Sequence, residues 1–244
     1  MGELTRVASF SSSEIYNLMS GGRGKWTLEN VGRPFHTYIR NKVYETRLGR
    51  PLYQSQNSRI TNWGKFVEKI IFDKLELNYE LVSKTRYQHP DIKEWTGMPD
   101  VVTREKTIVG DCKAPWTLLS FCELIEAMSE GPEALKKYSP QYYYQLVSNS
   151  ILTGIDKAEL IVYVPYKDEL DEIKEAANNH SWDGSISEND VQFINYASHE
   201  ELPYLKKDGV YNNLNHLVFE VPQEDKDLLT ARVKLAVAEL EKQL

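Results

Sequence analysis

The sequence predicts an α/β fold, and three observations carry that reading. Residues 95 to 116, WTGMPDVVTREKTIVGDCKAPW, hold two runs of strand-forming residues joined by the short polar turn Arg104-Glu105-Lys106, the pattern of a hairpin. Residues 158 to 165, AELIVYVP, form a continuous apolar run of strand length, as expected of a central buried strand. Between and before these runs, apolar residues recur at helical spacing over three long stretches. With 244 residues and 41% hydrophobic content, the chain can bury a substantial core as a single domain.

Taken in order, SFSSSEIYNLMSGGRGKW reads as a short helix with Ser12 or Ser13 as N-cap, Ile15, Leu18 and Met19 as its apolar face, and a stop at Gly21-Gly22. The turn that follows presents Arg23 and Lys25. It is not a nucleotide-hydrolase phosphate loop, because Met19 stands where the first glycine belongs and Trp26 follows Lys25. From Pro34 to Gly49 a helix carries Phe35, Tyr38, Ile39 and Val43 on one face and Arg40, Asn41 and Arg47 on the other. A second helix, Asn62 to about Leu77, places Glu68 beside Gly64, Ile71, Phe72 and Leu75, on the edge of its buried face. A carboxylate there needs a partner. Lys65, one turn back, is the ordinary one, and a cation shared with other acids is the functional one.

Residues 81 to 88 read as a strand, followed by the turn HPDIKE and the hairpin. Thr117 to Met128 is a helix broken at residues 129 to 132. Ser139-Pro140 combines a cap with a first-turn proline and opens a helix that closes at Gly154. Its core face is Tyr143, Leu146, Val147 and Ile151; Gln141, Gln145, Ser148 and Asn149 line another side, where Gln145 is placed to bond into a polar site. Beyond Tyr166, the expectations are an acidic surface helix (KDELDEIKEAANN), a loop (HSWDGSISEND), strands at VQFINYAS and LVFEVP, and a terminal amphipathic helix, Gln223 to Leu244. That helix presents Leu228, Leu229, Val233, Leu235, Ala236 and Leu240, to close the core or to meet another subunit.

Composition excludes several classes. The absence of a long apolar run and of a charged-then-apolar leader predicts a soluble protein outside the secretory route and without membrane contact, cytoplasmic by default. The two cysteines, Cys112 and Cys122, do not form a Cys-x-x-Cys pair, and no histidines fall at ligand spacing, so disulfide frameworks, zinc and iron-sulfur clusters lack support. A net charge of −7 is unevenly spread. Residues 1 to 110 carry 17 basic against 12 acidic residues, and the remainder 12 against 24, so a basic part can meet a phosphate backbone while the acidic part faces away.

The hairpin holds the chemistry. Strand alternation puts Val109, Asp111 and Lys113 on one face and Ile108 and Cys112 on the other, while the turn brings Asp100 beside Asp111. Carboxylates that close repel unless a cation lies between them, which is the chemistry of a hard divalent metal. Lys113 on the same face can orient or deprotonate a water, or steady a phosphate oxygen. The motif by itself is weak, since a surface hairpin with a salt bridge looks the same. Pro90-Asp91 with Lys93, and Glu172-Ile173-Lys174, repeat it outside any strand context.

Order makes it specific: a helix with Gly64 and Glu68, Pro99-Asp100, then Asp111-x-Lys113, then a helix with Gln145 leading into a buried strand. The chain thereby resembles the PD-(D/E)xK nuclease superfamily. More narrowly, it resembles the lambda-exonuclease-like phage recombination exonucleases, in SSSEIYNLMSGG, NWGKFVE, GMPDVV, DCKAPW and YYYQLVSNSILTG followed by AELIVYVP. The resemblance covers roughly residues 8 to 166, with residues 167 to 244 as a C-terminal elaboration of one domain. It implies a restriction-endonuclease-like core, a central mixed β-sheet flanked by α-helices, and a Mg2+-dependent DNA exonuclease. Glu68, Asp100 and Asp111 would hold one or two Mg2+ ions, with Mn2+ able to substitute. Lys113 would position or activate the water, and Gln145 would help hold the lysine or the water. Asp111 stands where the family more often has glutamate. The family further implies digestion of linear double-stranded DNA from its 5′ end, 3′ overhangs for a single-strand annealing protein, a ring-shaped homo-oligomer such as a trimer, and a bacterial host's cytoplasm. Ser12, Ser13, Arg23 and Lys25 are the candidate DNA contacts. The alternative is a structure-specific or restriction-type endonuclease with the same metal site.

Overall fold

The computed structural model describes residues 9–25, 27–52, 58–75, 78–179 and 187–244. Two mixed sheets carry the site. The larger comprises β2 (Tyr79–Leu81), β5 (Val101–Thr103), β6 (Ile108–Lys113), β7 (Lys157–Tyr163) and β8 (Leu214–Glu220), hydrogen-bonded in that order. β6 and β7 run parallel, and the other neighbours are antiparallel. The smaller sheet orders β1 (Phe10–Ser11), β4 (Trp95–Gly97) and β3 (Tyr87–Gln88), with β1 parallel to β4.

Helices α1 (Arg33–Leu48), α3 (Leu118–Glu130), α5 (Pro140–Thr153) and α8 (Gln223–Gln243) supply one core, with Val109, Leu160 and Val162 from the sheet. Helices α2 (Arg59–Lys74), α6 (Leu170–Asn179) and α7 (Glu188–Tyr196) supply the other, with Cys112, Ile161 and Tyr163. The sheet is therefore covered on both faces, and the expected alternation of β6 is what divides Val109 from Cys112. Gly110, between them, has no room for a side chain, since a Cβ would lie 2.7 Å from Val101 Cγ2.

Local signals placed several elements as expected. Ser139 caps α5 by accepting from Tyr142 N, and Gly154 ends it in the left-handed region at φ 70°. Gly49 does the same for α1 at φ 67°. The terminal helix α8 closes the core through Leu229, Val233, Ala236 and Leu240.

Other expectations are corrected. The run before the hairpin turn is not one strand: β4 belongs to the small sheet and β5 to the large one, with Met98-Pro99-Asp100 crossing between them. Pro99 has no N–H for a ladder, which suits the break. Residues 81 to 88 likewise divide, because a turn closed by Thr85 N on Val82 O separates β2 from β3. The N-terminal helix is a short 3-10 turn, Ile15–Met19, capped by neither Ser12 nor Ser13. VQFINYAS is helical through Tyr196: Ser187 and Asp190 form a capping box, and Val191 and Ile194, one turn apart, are both fully buried. The break after α3 falls at Gly131, within the expected residues 129 to 132, and a further helix, α4 (Pro132–Tyr138), follows it. Among the described residues no helix is long and apolar enough to cross a membrane.

Candidate active site

Asp111 sits in the middle of the large sheet, 1% exposed, on the face covered by α5. Gln145, in the buried stretch of that helix, donates from Nε2 to Asp111 Oδ1 at 2.6 Å. Lys113, two residues along β6 and so on the same face, is ion-paired with Asp111 Oδ2 and donates to the Cys112 carbonyl at 3.2 Å. Asp100 stands just before β5, where its Oδ2 accepts the Cys112 N–H at 2.7 Å. That bond fixes the acid of the first strand to the backbone of the second.

Glu68 approaches from α2. Burial pushes its carboxyl up to about 7; Lys113 pulls it down, Asp111 pushes it up, and Lys65 has the smallest effect. Its partner is thus the hairpin cluster more than the neighbouring lysine on its own helix. Asp100 is held well above the usual carboxylate range by burial, then by the charges of Asp111 and Glu68, against the pull of Lys113 and the Cys112 amide. Burial pulls the Lys113 ammonium down, but Asp111, Asp100 and Glu68 together outweigh it and raise it. Burial and the same acids raise the Cys112 thiol, which makes it a poor nucleophile.

The sequence-derived constellation of Glu68, Asp100, Asp111, Lys113 and Gln145 therefore converges on one place. As placed, no three His, Cys, Asp or Glu side chains among the described residues stand in an arrangement that would hold a metal ion. Asp111 is turned to Lys113, and Asp100 to the Cys112 amide. The donor chemistry nevertheless fits a hard divalent cation: three carboxylates, two of them raised first by burial and then by the charges of their acidic neighbours.

A cleft of about 610 Å³ opens beside Gln145. Ser12 and Ser13 line it, together with Ser11, Lys42, Arg86 and Gly97. Ser12 is 3% exposed and bonds Ser148 of α5 at 2.8 Å, so its hydroxyl is part of the cleft wall. Arg23 and Lys25 stand exposed in the loop before α1 and do not line this cleft. Sequence reasoning passed over Arg86 and Lys42. Lys42 lies on the buried side of α1, paired with Glu45 at 2.9 Å, and its spacing of three residues from Ile39 and seven from Phe35 is the signal that could have placed it there. Tyr142 was also missed, although it lies three residues before Gln145 and so on nearly the same helix face.

No protein-family model matches the chain, and no curated protein matches it in sequence. Solved structures do match in fold. The alkaline exonuclease LHK-Exo from Laribacter hongkongensis superimposes with a TM-score of 0.59 at 13% identity, covering 97% of this chain and 92% of that one. The same exonuclease in complex with dAMP gives 0.61 at 13% identity, covering 98% and 90%. A phage-related exonuclease from Haemophilus somnus 129PT gives 0.62 at 14% identity, covering 96% and 94%. The mixed α/β architecture is common to all of them.

Proposed function

We propose that the chain is a Mg2+-dependent deoxyribonuclease that degrades linear duplex DNA from an end, 5′ to 3′, leaving 3′ overhangs. The observation that carries the proposal is the convergence of Glu68, Asp100 and Asp111 on Lys113 within a fold shared with exonucleases. Glu68, Asp100 and Asp111 would hold one or two Mg2+ ions, or Mn2+ in their place. Such ions supply positive charge to the attacking and leaving oxygens of an in-line displacement at phosphorus.

The chain's own residues do the rest. Lys113, kept as the ammonium by the surrounding acids, orients the attacking water or steadies a phosphate oxygen as charge develops on it. Gln145 fixes the rotamer of Asp111 through its 2.6 Å bond. Ser11, Ser13 and Arg86 offer hydroxyls and a guanidinium to the terminal phosphate in the adjoining cleft, with Arg86 suited to a bidentate grip. Arg23 and Lys25 would meet the duplex outside that cleft. The overhang would pass to a single-strand annealing protein, and a ring-shaped homo-oligomer, such as a trimer, would keep the enzyme on its substrate.

The test uses linear duplexes labelled at either the 5′ or the 3′ end, with a closed circle alongside, in Mg2+ and with Lys113→Ala as control. Immediate release of 5′ label as mononucleotide, an intact circle and an inactive variant are expected. Cutting of the circle would make the protein an endonuclease with the same site, and no metal-dependent cleavage of any DNA would overturn the proposal.

A further inference from the structure

Helix α5 touches both members of the Asp111–Lys113 pair. Gln145 binds the acid, and one turn earlier the ring of Tyr142 lies against the lysine, with Lys113 Nζ 5.4 Å from the ring centroid. This is within the range where a ring face attracts an ammonium. Tyr142 is in the first turn of α5, where its N–H is donated to the Ser139 cap, so its backbone is fixed at a capped helix start. The phenol hydroxyl makes no hydrogen bond to another described residue, so the ring face is what meets Lys113.

We infer that Tyr142 is a positioning residue for Lys113, keeping its ammonium directed at the site when Asp111 is engaged by a cation; the inference rests on the metal-dependent nuclease reading. In the arrangement described, the ion pair with Asp111 holds Lys113. Were Asp111 to hold a divalent ion, that pair would weaken and the ammonium would be repelled. A lysine on a flexible four-carbon stem would then swing toward solvent. Two holds remain: the Cys112 carbonyl, already bonded at 3.2 Å, and the ring of Tyr142. A neutral ring attracts the ammonium without competing for the metal, which a carboxylate in its place would do.

The test compares Tyr142→Leu, which removes the ring face, with Tyr142→Phe, which keeps it. With Mg2+ saturating, Tyr142→Leu should lower kcat about tenfold with KM for DNA within about twofold of wild type, and Tyr142→Phe should restore kcat to within about threefold. A second readout needs no turnover. In protein labelled with 13C-lysine, the Lys113 ε-methylene proton resonance, assigned by its loss in Lys113→Arg, should be shifted upfield by the ring. The shift should persist in Tyr142→Phe and vanish in Tyr142→Leu, both without metal and with Ca2+. Equal loss of kcat in the two variants would assign the role to the hydroxyl and overturn the inference. So would a Lys113 resonance indifferent to Tyr142→Leu. If wild type cleaves no DNA, the nuclease reading falls, and the resonance alone decides whether the ring holds the lysine.

Discussion

Replacing Glu68 by glutamine should stabilise the metal-free protein at pH 8 while abolishing its metal response. In the folded chain, burial raises this carboxyl from 4.5 to about 7. The folded state therefore binds the proton more tightly than the unfolded state does. The stabilisation this confers is fully present below about pH 4.5 and is lost as pH rises through about 7. The interval is worth about 3 kcal/mol at ~1.4 kcal/mol per pH unit. Glutamine keeps the shape and drops the charge. Urea unfolding in chelator should show Glu68→Gln more stable than wild type by about 1–3 kcal/mol at pH 8, with the difference much reduced at pH 5 and the m-value unchanged. Adding Mg2+ should reverse the ranking, because only wild type gains binding free energy through an intact acid set. A variant equal to or less stable than wild type at pH 8 in chelator would refute the claim that the buried charge at Glu68 is incompletely compensated by Lys113 and Lys65.

Three further outcomes follow from the geometry. Gln145→Leu removes the donor to Asp111 Oδ1 and should lower kcat by about 10- to 100-fold with little change in DNA affinity, measured by single-turnover cleavage and by binding in Ca2+. Arg86→Ala should reduce the preference for a 5′-phosphorylated over a 5′-hydroxyl end by about tenfold, checked by competition between the two duplexes, while Arg23→Ala should leave that preference intact and weaken binding mainly at higher salt. Gly97→Ala puts a Cβ 2.1 Å from Ser12 Oγ and 2.7 Å from Leu152 Cδ1, so thermal unfolding should show a loss of about 1–3 kcal/mol, and Ser12→Gly in the same chain should recover part of it.

Features written in a few adjacent residues were legible without coordinates. The Ser139-Pro140 start and the Gly154 stop gave α5 its bounds, because caps and left-handed turns act within one helical turn. The alternation of β6 set Asp111 and Lys113 on one side and Cys112 on the other, because a strand's period is fixed by backbone geometry. Glu68 on the edge of an apolar helix face was likewise visible as a carboxylate in need of a partner.

Features fixed by distant partners were not. Trp95–Gly97 and Val101–Thr103 have the composition of one strand, and only their pairing with β1 and β6 assigns them to different sheets. VQFINYAS is rich in strand-forming residues, yet burial of Val191 and Ile194 on one helical face decided its form. Ser12 resembled a helix cap, and its bond to Ser148, 136 residues away, made it a wall of the cleft instead. The choice of Lys113 over Lys65 as the main cation acting on Glu68 also depended on how α2 docks against β6. The sequence by itself determined the identity and order of the candidate site residues, because each lies in a locally specified element. Tertiary structure decided which charges face one another and which cations reach the cleft, because Coulomb and desolvation effects depend on distance and burial that no local pattern encodes.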